Sequence, residues 1–264
     1  MKKILFLVLV SCFLNSCSSD SGTPSTSDTD NILIRKIIST SPSGMGSSNT
    51  YATTYTYNGK KLVTANSNND AVFQYYYTGD LITSIKFYFR GALQATTTFQ
   101  YDGSNRLILW TEYVGAPETR INREREFHHN TDGTITVDGR IFDSSENEFS
   151  PINTEKYFLN SNDEVERVEI LSPNGTQVIQ YTYDDKHNLF KNVIGFKEIN
   201  KLFVEGNDAN IISIIFSGYD PGNNNESAEV RTYTYNTEDF PITGVRFHPN
   251  DVNSIVITDQ YIYE

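Results

Sequence analysis

Phe73-Gln74-Tyr75-Tyr76-Tyr77-Thr78-Gly79-Asp80-Leu81-Ile82-Thr83-Ser84-Ile85 is the stretch that decides the fold. Tyr75 and Tyr77 are two apart, so on an extended chain they share one face. Gly79-Asp80 then supplies a tight turn, because both residue types accept backbone conformations that others resist. The chain resumes with Ile82 and Ile85. A spacing of three breaks the period of two, and a regular strand cannot keep both side chains on one side. The spacing therefore predicts a β-bulge between them, which bends the strand and curls the sheet.

The same unit recurs along the chain. Tyr55-Thr56-Tyr57-Asn58-Gly59 leads to Leu62, and Phe99-Gln100-Tyr101-Asp102-Gly103 to Leu107 and Trp110. Tyr157-Phe158-Leu159-Asn160 leads to Val165 and Val168, and Tyr181-Thr182-Tyr183-Asp184 to Phe190 and Val193. Phe203-Val204-Glu205-Gly206-Asn207 leads to Ile211 and Ile214, and Tyr233-Thr234-Tyr235-Asn236 to Ile242 and Val245. Phe127-His128-His129-Asn130, running into Ile135 and Val137, is a degenerate copy, and Tyr261-Ile262-Tyr263 closes the chain. A repeat of roughly 20 to 28 residues is the length of one hairpin with its connection. The expected fold is all-β: an antiparallel meander of about eight tandem hairpins, curled into a barrel or half-barrel, filling residues 31–264 as one domain. No stretch of about ten residues shows a helical period of 3.6. Residues 118–126 suit a helical turn or a long polar strand equally. The Ser/Gly-rich stretch 39–49 and residues 220–226 read as mobile insertions.

The N-terminus gives an address. Lys2-Lys3 precedes the apolar run Ile4 to Val10, which is too short to span a bilayer, and Leu14-Asn15-Ser16-Cys17 follows. This resembles a bacterial lipoprotein signal with its lipobox, which implies cleavage before Cys17 and lipidation of that thiol. Residues 1–16 are then the signal peptide, and 17–30 are the lipidated cysteine and its linker. Cys12 would leave with the signal, so the mature chain has no disulfide. The linker is almost entirely Ser, Thr, Asp, Gly and Pro, a composition that cannot bury enough apolar surface to order itself. In the lipoprotein family an aspartate after the cysteine retains the protein at the inner membrane. Ser18 stands there instead, which leans toward the outer membrane and leaves open which face of it.

The Tyr-x-Tyr-Asp/Asn-x-x-x-x-Leu/Ile pattern is similar to the YD repeat of Rhs-type proteins. In a short acidic chain with a lipoprotein leader it looks closer to small envelope lipoproteins of the Bacteroidota, some of which are described as porin-like curled sheets. The resemblance covers residues 51–263. Large Rhs proteins form shells around toxin domains; this chain is too short for a shell, so that role does not carry over.

Charge and side-chain chemistry narrow the function. Thirty-three acidic residues against 21 basic ones give a net charge of −12. Such a surface repels nucleic acid and anionic lipid headgroups. His128 and His129 are adjacent, so a strand would turn them to opposite faces, where they cannot chelate one metal. Asp220, Asn223, Asn225 and Glu226 form an oxygen-rich loop of the kind calcium prefers, without EF-hand spacing; weak calcium binding is one reading and an ordinary turn the plainer one. Glu112, Glu124, Glu126 and Glu169 are candidates for a carboxylate pair, which only separation in space can establish. No Gly-x-Ser-x-Gly elbow and no phosphate-cradling loop occur. Trp110 and Tyr113 could stack on a sugar near Gly115-Ala116-Pro117, although Trp110 occupies the second apolar position of its repeat and is foremost a core residue.

The expectation is a non-enzymatic envelope lipoprotein without cofactor, a binding or interaction scaffold held to the membrane at Cys17. A glycan, a peptide strand or an envelope protein would be its partner. The alternatives are a barrel that carries a small apolar ligand and, further off, a carboxylate-based glycan hydrolase.

Overall fold

The computed structural model describes residues 29–43, 47–115, 121–143, 147–173, 175–203, 206–218, 227–249 and 256–264. Among them sixteen strands form one antiparallel meander: β1 (Ile34–Ser43), β2 (Ser47–Asn58), β3 (Lys61–Ser67), β4 (Ala71–Thr78), β5 (Leu81–Phe89), β6 (Ala92–Tyr101), β7 (Leu107–Val114) and β8 (Ile121–His129). The second half holds β9 (Ile135–Asp143), β10 (Glu148–Leu159), β11 (Val165–Ser172), β12 (Gly175–Tyr183), β13 (Ile211–Gly218), β14 (Ser227–Tyr235), β15 (Pro241–Phe247) and β16 (Ile257–Tyr263). Each strand pairs with its sequence neighbour, and β16 pairs with β1, so the sheet closes into a barrel without free edges. Residues 121–126 are strand, and so are the Ser-rich residues 39–43 and 47–49, which the sequence suggested as an insertion. Their serines and threonines pair across β1 and β2 from Thr40↔Thr50 to Ser43↔Ser47, a ladder whose backbone bonds outweigh weak side-chain propensity.

The bulges fall where the spacing of three places them. In the β4–β5 hairpin Tyr76 faces Ser84 and Tyr77 faces Ile82, which leaves Thr83 as the extra residue. The same shift leaves Val63, Ile108, Glu166, Ile212 and Ile242 as the extra residues of five other hairpins. In the units opening at Tyr75, Phe99 and Tyr157 the bulge lets both apolar positions, such as Leu107 and Trp110, point into the barrel. In the Tyr233 unit the expectation fails by one residue: Pro241 and Gly244 take the inward places, while Ile242 is the exposed extra residue and Val245 faces out. In the degenerate unit Ile135 and Val137 are two apart, and the β8–β9 register runs without a shift. The second aromatic of the unit has its own task. Tyr57 donates to Ile34 O (2.7 Å), Tyr101 to Ile82 O (2.7 Å) and Tyr183 to Val165 O (2.8 Å), at the carbonyls where neighbouring ladders are interrupted. His129 takes the equivalent place, with Nε2 2.9 Å from Leu107 O. Turn chemistry also repeats: the side-chain oxygens of Asp102, Asn160 and Asn236 accept from the amides two and four residues on.

One expectation fails instructively. The units opening at Tyr181 and at Phe203 are a single hairpin. Tyr183 faces Ile211, and Asp184 N donates to Asn210 O (3.0 Å), so residues 185–209 are an excursion from the β12–β13 turn. Phe190, Val193 and Phe203 therefore sit outside the sheet. The excursion contains a helix, α1 (Phe196–Phe203), whose Phe196, Ile199 and Phe203 lie at i, i+3 and i+7 on one stripe. Its eight residues are too few for a ten-residue periodic window to register.

This excursion is a plug in one end of the barrel. Phe190 meets Tyr55 edge-on at 5.6 Å, Phe196 packs against Tyr75 at 5.7 Å, and Phe203 meets Trp110 at 6.1 Å. Val193, Phe196 and Ile199 join Leu62, Ile82, Leu107, Ile135 and Val165 in one buried cluster. Hydrogen bonds tie the plug to turns all round the rim: Ile194 N to Lys60 O (3.0 Å), His187 N to Asp239 O (3.0 Å) and Asn192 Nδ2 to Ile32 O (3.0 Å). Gly195 fixes its approach to the β4–β5 turn. Its φ is +84°, and a Cβ there would stand 2.8 Å from Asp80 O. We expect Gly195→Ala to destabilise the fold by at least about 2 kcal/mol, from left-handed strain plus a backbone clash. A thermal melt unchanged from the parent would show that the plug can shift freely.

The outer wall carries polar and charged pairs at mid-strand, with single apolar side chains such as Tyr76, Ile108, Ile242 and Ile262 exposed among them. Inward positions alternate with outward ones, and the outward mid-strand pairs are Thr56/Thr64, Gln74/Lys86, Thr98/Thr111, Glu124/Arg140, Glu126/Asp138 and Arg167/Gln180. Membrane barrels carry an apolar band at this height.

Candidate functional site: the lumen above the plug

Sixteen strands enclose more space than one short helix fills. The plug packs the end of the lumen where the bulges lie, and above it the inner wall becomes polar. The change follows the period of two. Two residues before each aromatic unit lies a further inward position: Thr53 before Tyr55, Thr97 before Phe99, Arg125 before Phe127, Glu155 before Tyr157, Arg231 before Tyr233 and Asp259 before Tyr261 are polar, while Phe73 before Tyr75 and Ile179 before Tyr181 are apolar. The polar ones form an arc of hydroxyls and ion pairs over the aromatic layers. The alternation seen in Tyr-x-Tyr, extended one step back, marks them in sequence.

Two cavities open on this arc. The first, about 270 Å³, straddles the seam where β16 closes on β1. Asn188 and Phe190 of the plug form its floor, and Tyr55, Tyr233, Arg246 and Asp259 stand in its walls. Asp259 is nearly buried at 5% exposure. It accepts from Ser39 Oγ (2.5 Å) and lies 3.3 Å from Arg246 Nε. Arg231 is held by Glu229 on the same strand. Burial pushes the phenols of Tyr55 and Tyr233 well above the usual tyrosine range, so both stay protonated donors at physiological pH.

The second cavity, about 430 Å³, lies across the lumen beside Trp110 and Phe203. Arg125 bridges Glu155 and the Tyr157 hydroxyl (2.9 Å), with Asn153 Nδ2 3.2 Å from Glu155. Gly139 keeps this wall thin, since a Cβ there would stand 3.2 Å from Asn153 Oδ1.

The sequence-chosen residues distribute as follows. Trp110 faces inward and packs on the plug, as its place in the repeat implies. Tyr113 pairs with Thr96 in a continuous register three residues further on, which turns it to the outer wall. The two rings therefore do not share a platform. His128 points outward, 3.4 Å from Asp138, while His129 points inward. Glu124 and Glu126 share Arg140 on the outer wall, Glu169 pairs with Arg167, and Glu112 accepts from Asn122 (2.9 Å). Cys17 and the oxygen-rich loop Asp220, Asn223, Asn225 and Glu226 lie outside the described residues. Among the described residues no group of three or more His, Cys, Asp or Glu is placed to hold a metal.

A carboxylate that no motif announces is Glu164, 2% exposed, in the β10–β11 turn. It accepts from the backbone amides of Asn207 (2.8 Å), Asp208 (2.7 Å) and Ala209 (3.0 Å), where the plug returns to the sheet. Burial pushes its carboxyl above the usual range, against the pull of these three donors. Its role is to hold the plug.

No family model and no curated protein matches the sequence. Among solved structures, a porin-like protein from Bacteroides vulgatus superposes with a TM-score of 0.57 at 13% identity, covering 88% of this chain and 98% of that one. A second porin-like protein, from Bacteroides uniformis, is 13% identical over 88% of this chain and 96% of its own, with a TM-score of 0.38. The first likeness shows a shared barrel fold.

Proposed function

We propose that this chain is a non-enzymatic envelope protein, lipid-anchored at Cys17, whose plugged barrel binds a small polar solute in the upper lumen. The observation that carries this reading is the set of charged and polar pairs on the outer wall at mid-strand. Charged pairs such as Glu124/Arg140 at mid-strand would each cost several kcal/mol against lipid, on the order of 2–4 per Arg or Lys. A barrel with this skin belongs in water beside a membrane, which agrees with the lipoprotein-like leader. The plug argues against conduction. The porin-like description of the Bacteroides vulgatus structure then applies here to shape alone.

A carrier of an apolar ligand is less favoured, because the apolar part of the lumen is already occupied by Val193, Phe196 and Ile199. What remains open combines ion pairs, phenols and amides with apolar patches such as Phe190, Ile211 and Trp110, a chemistry suited to a small molecule with a polar group.

The test is Cys17→Ser. The expected result is loss of palmitate labelling and release of a folded barrel into the aqueous fraction. A Cys17→Ser chain that stays integrated through alkaline extraction would mean that the barrel itself spans the membrane, and the reading would fall.

A further inference from the structure

We propose that the seam cavity is a carboxylate-binding site, taking a small ring-bearing organic acid with its carboxylate on Arg246 and Tyr55. The inference rests on the lumen-binding reading above and names its ligand class.

The balance of donors and acceptors in the cavity points to an acid. The acceptors are engaged: both oxygens of Asp259 face partners, Oδ1 taking Ser39 Oγ and Oδ2 lying between Arg246 Nε and Tyr261 Oη (3.5 Å). Tyr233 Oη is spent on Ile211 O (3.2 Å). The donors are not all engaged. The terminal nitrogens of Arg246 have no hydrogen-bond partner among the described residues, and neither does the Tyr55 hydroxyl. Asp259 Oδ2 lies 3.3 Å from Arg246 Nε in an ion pair without a hydrogen bond, and Arg246 lines the cavity. A planar fork with a phenol nearby matches one carboxylate, which accepts two parallel N–H bonds and a third from O–H. A phosphate dianion would ask for more donors than this site has. Phe190, Ile211 and the ring of Tyr233 supply apolar wall for the remainder of the ligand, and about 270 Å³ suits a single ring. The site draws on β1, β2, β13, β14, β15, β16 and the plug, so it exists only in the closed, plugged barrel.

The experiment titrates the purified protein with benzoate and with benzamide, which share shape and differ in charge. Binding is read by calorimetry and by chemical-shift changes at Arg246 and Tyr55. Benzoate is expected to bind at least tenfold more tightly than benzamide. Arg246→Gln should remove that preference, and Tyr55→Phe should weaken benzoate several-fold. His128→Ala, on the outer wall, should leave it unchanged. Melting curves of each variant separate lost binding from lost folding, and Tyr55→Phe keeps the ring that packs on Phe190. Equal binding of benzamide at this cavity would overturn the carboxylate assignment and leave the lumen-binding reading standing. Binding confined to the Trp110 cavity would overturn the seam site with the same consequence. Failure of both compounds to bind anywhere in the lumen would overturn the carboxylate assignment, and a membrane-integrated Cys17→Ser chain would separately remove the reading beneath it.

Discussion

Phe196→Ala is expected to lower stability by about 3–5 kcal/mol, the range for removing a buried aromatic and leaving a cavity. Phe196 is 8% exposed, stacked on Phe190 at 4.8 Å and packed against Tyr75. It is one of two contacts, with Phe203 on Trp110, through which the helix reaches the aromatic layer of the wall. For a domain of this size each kcal/mol moves the melting temperature by roughly 2–4 °C, so a fall of about 6–20 °C is the outcome to look for in calorimetry. Two results are informative beyond the midpoint. If the plug and barrel are one cooperative unit, the transition stays single and shifts whole. If the plug releases first, amide exchange in residues 190–203 accelerates well before the strands exchange. A variant that melts with the parent would mean that the helix contributes no net packing.

Glu164→Leu should be as damaging by a different route. The substitution leaves three amides, that of buried Asn207 and the part-buried ones of Asp208 and Ala209, without their acceptor. An orphaned buried donor costs about 1–3 kcal/mol, so a loss of about 3–5 kcal/mol is expected even where leucine fills the space. Glu164→Gln retains one acceptor oxygen and should cost less than half as much. The same carboxyl has a signature in pH. Its pKa is raised in the folded state, so the native protein holds the proton more tightly than the unfolded chain does. Its contribution to stability therefore falls as pH rises from the ordinary glutamate value through the folded one. Asp102 works in the opposite sense. Bonds from Arg106 lower its pKa to about 2, so its contribution is present above the ordinary aspartate value and is lost as pH falls toward 2. Melting temperatures of Glu164→Gln and the parent, compared across pH 4–7, should diverge toward the acid end, because only the parent gains stability as its carboxyl takes up the proton. A constant gap would show that the three amides do not depend on the charge of Glu164.

The strand pattern, the turns and the bulges were legible in the sequence because all are local. Tyr75 and Tyr77 share a face by the geometry of an extended chain. Asp102, Asn160 and Asn236 close their turns with their own side chains, and Ile82 with Ile85 requires a bulge within four residues. The inward arc of Thr53, Arg231 and Asp259 was within reach of the same rule, applied one step further back. Closure was not. Whether β16 meets β1 depends on curvature summed over sixteen strands, and no single unit holds that sum. The plug was hidden for two reasons. Phe203 and Ile211 imitate the opening and resumption of a hairpin, and α1 is too short to announce a helical period. Its apolar stripe gains meaning only when the ring of Leu62, Ile82, Leu107 and Ile135 surrounds it. The candidate site lies further still from any motif. Tyr55, Phe190, Arg246 and Asp259 come from the two ends of the chain and from the excursion, and they meet because the barrel closes and the plug supplies the floor. Residue alternation set which side chains face inward; closure of the sheet brought them within a few ångströms of one another.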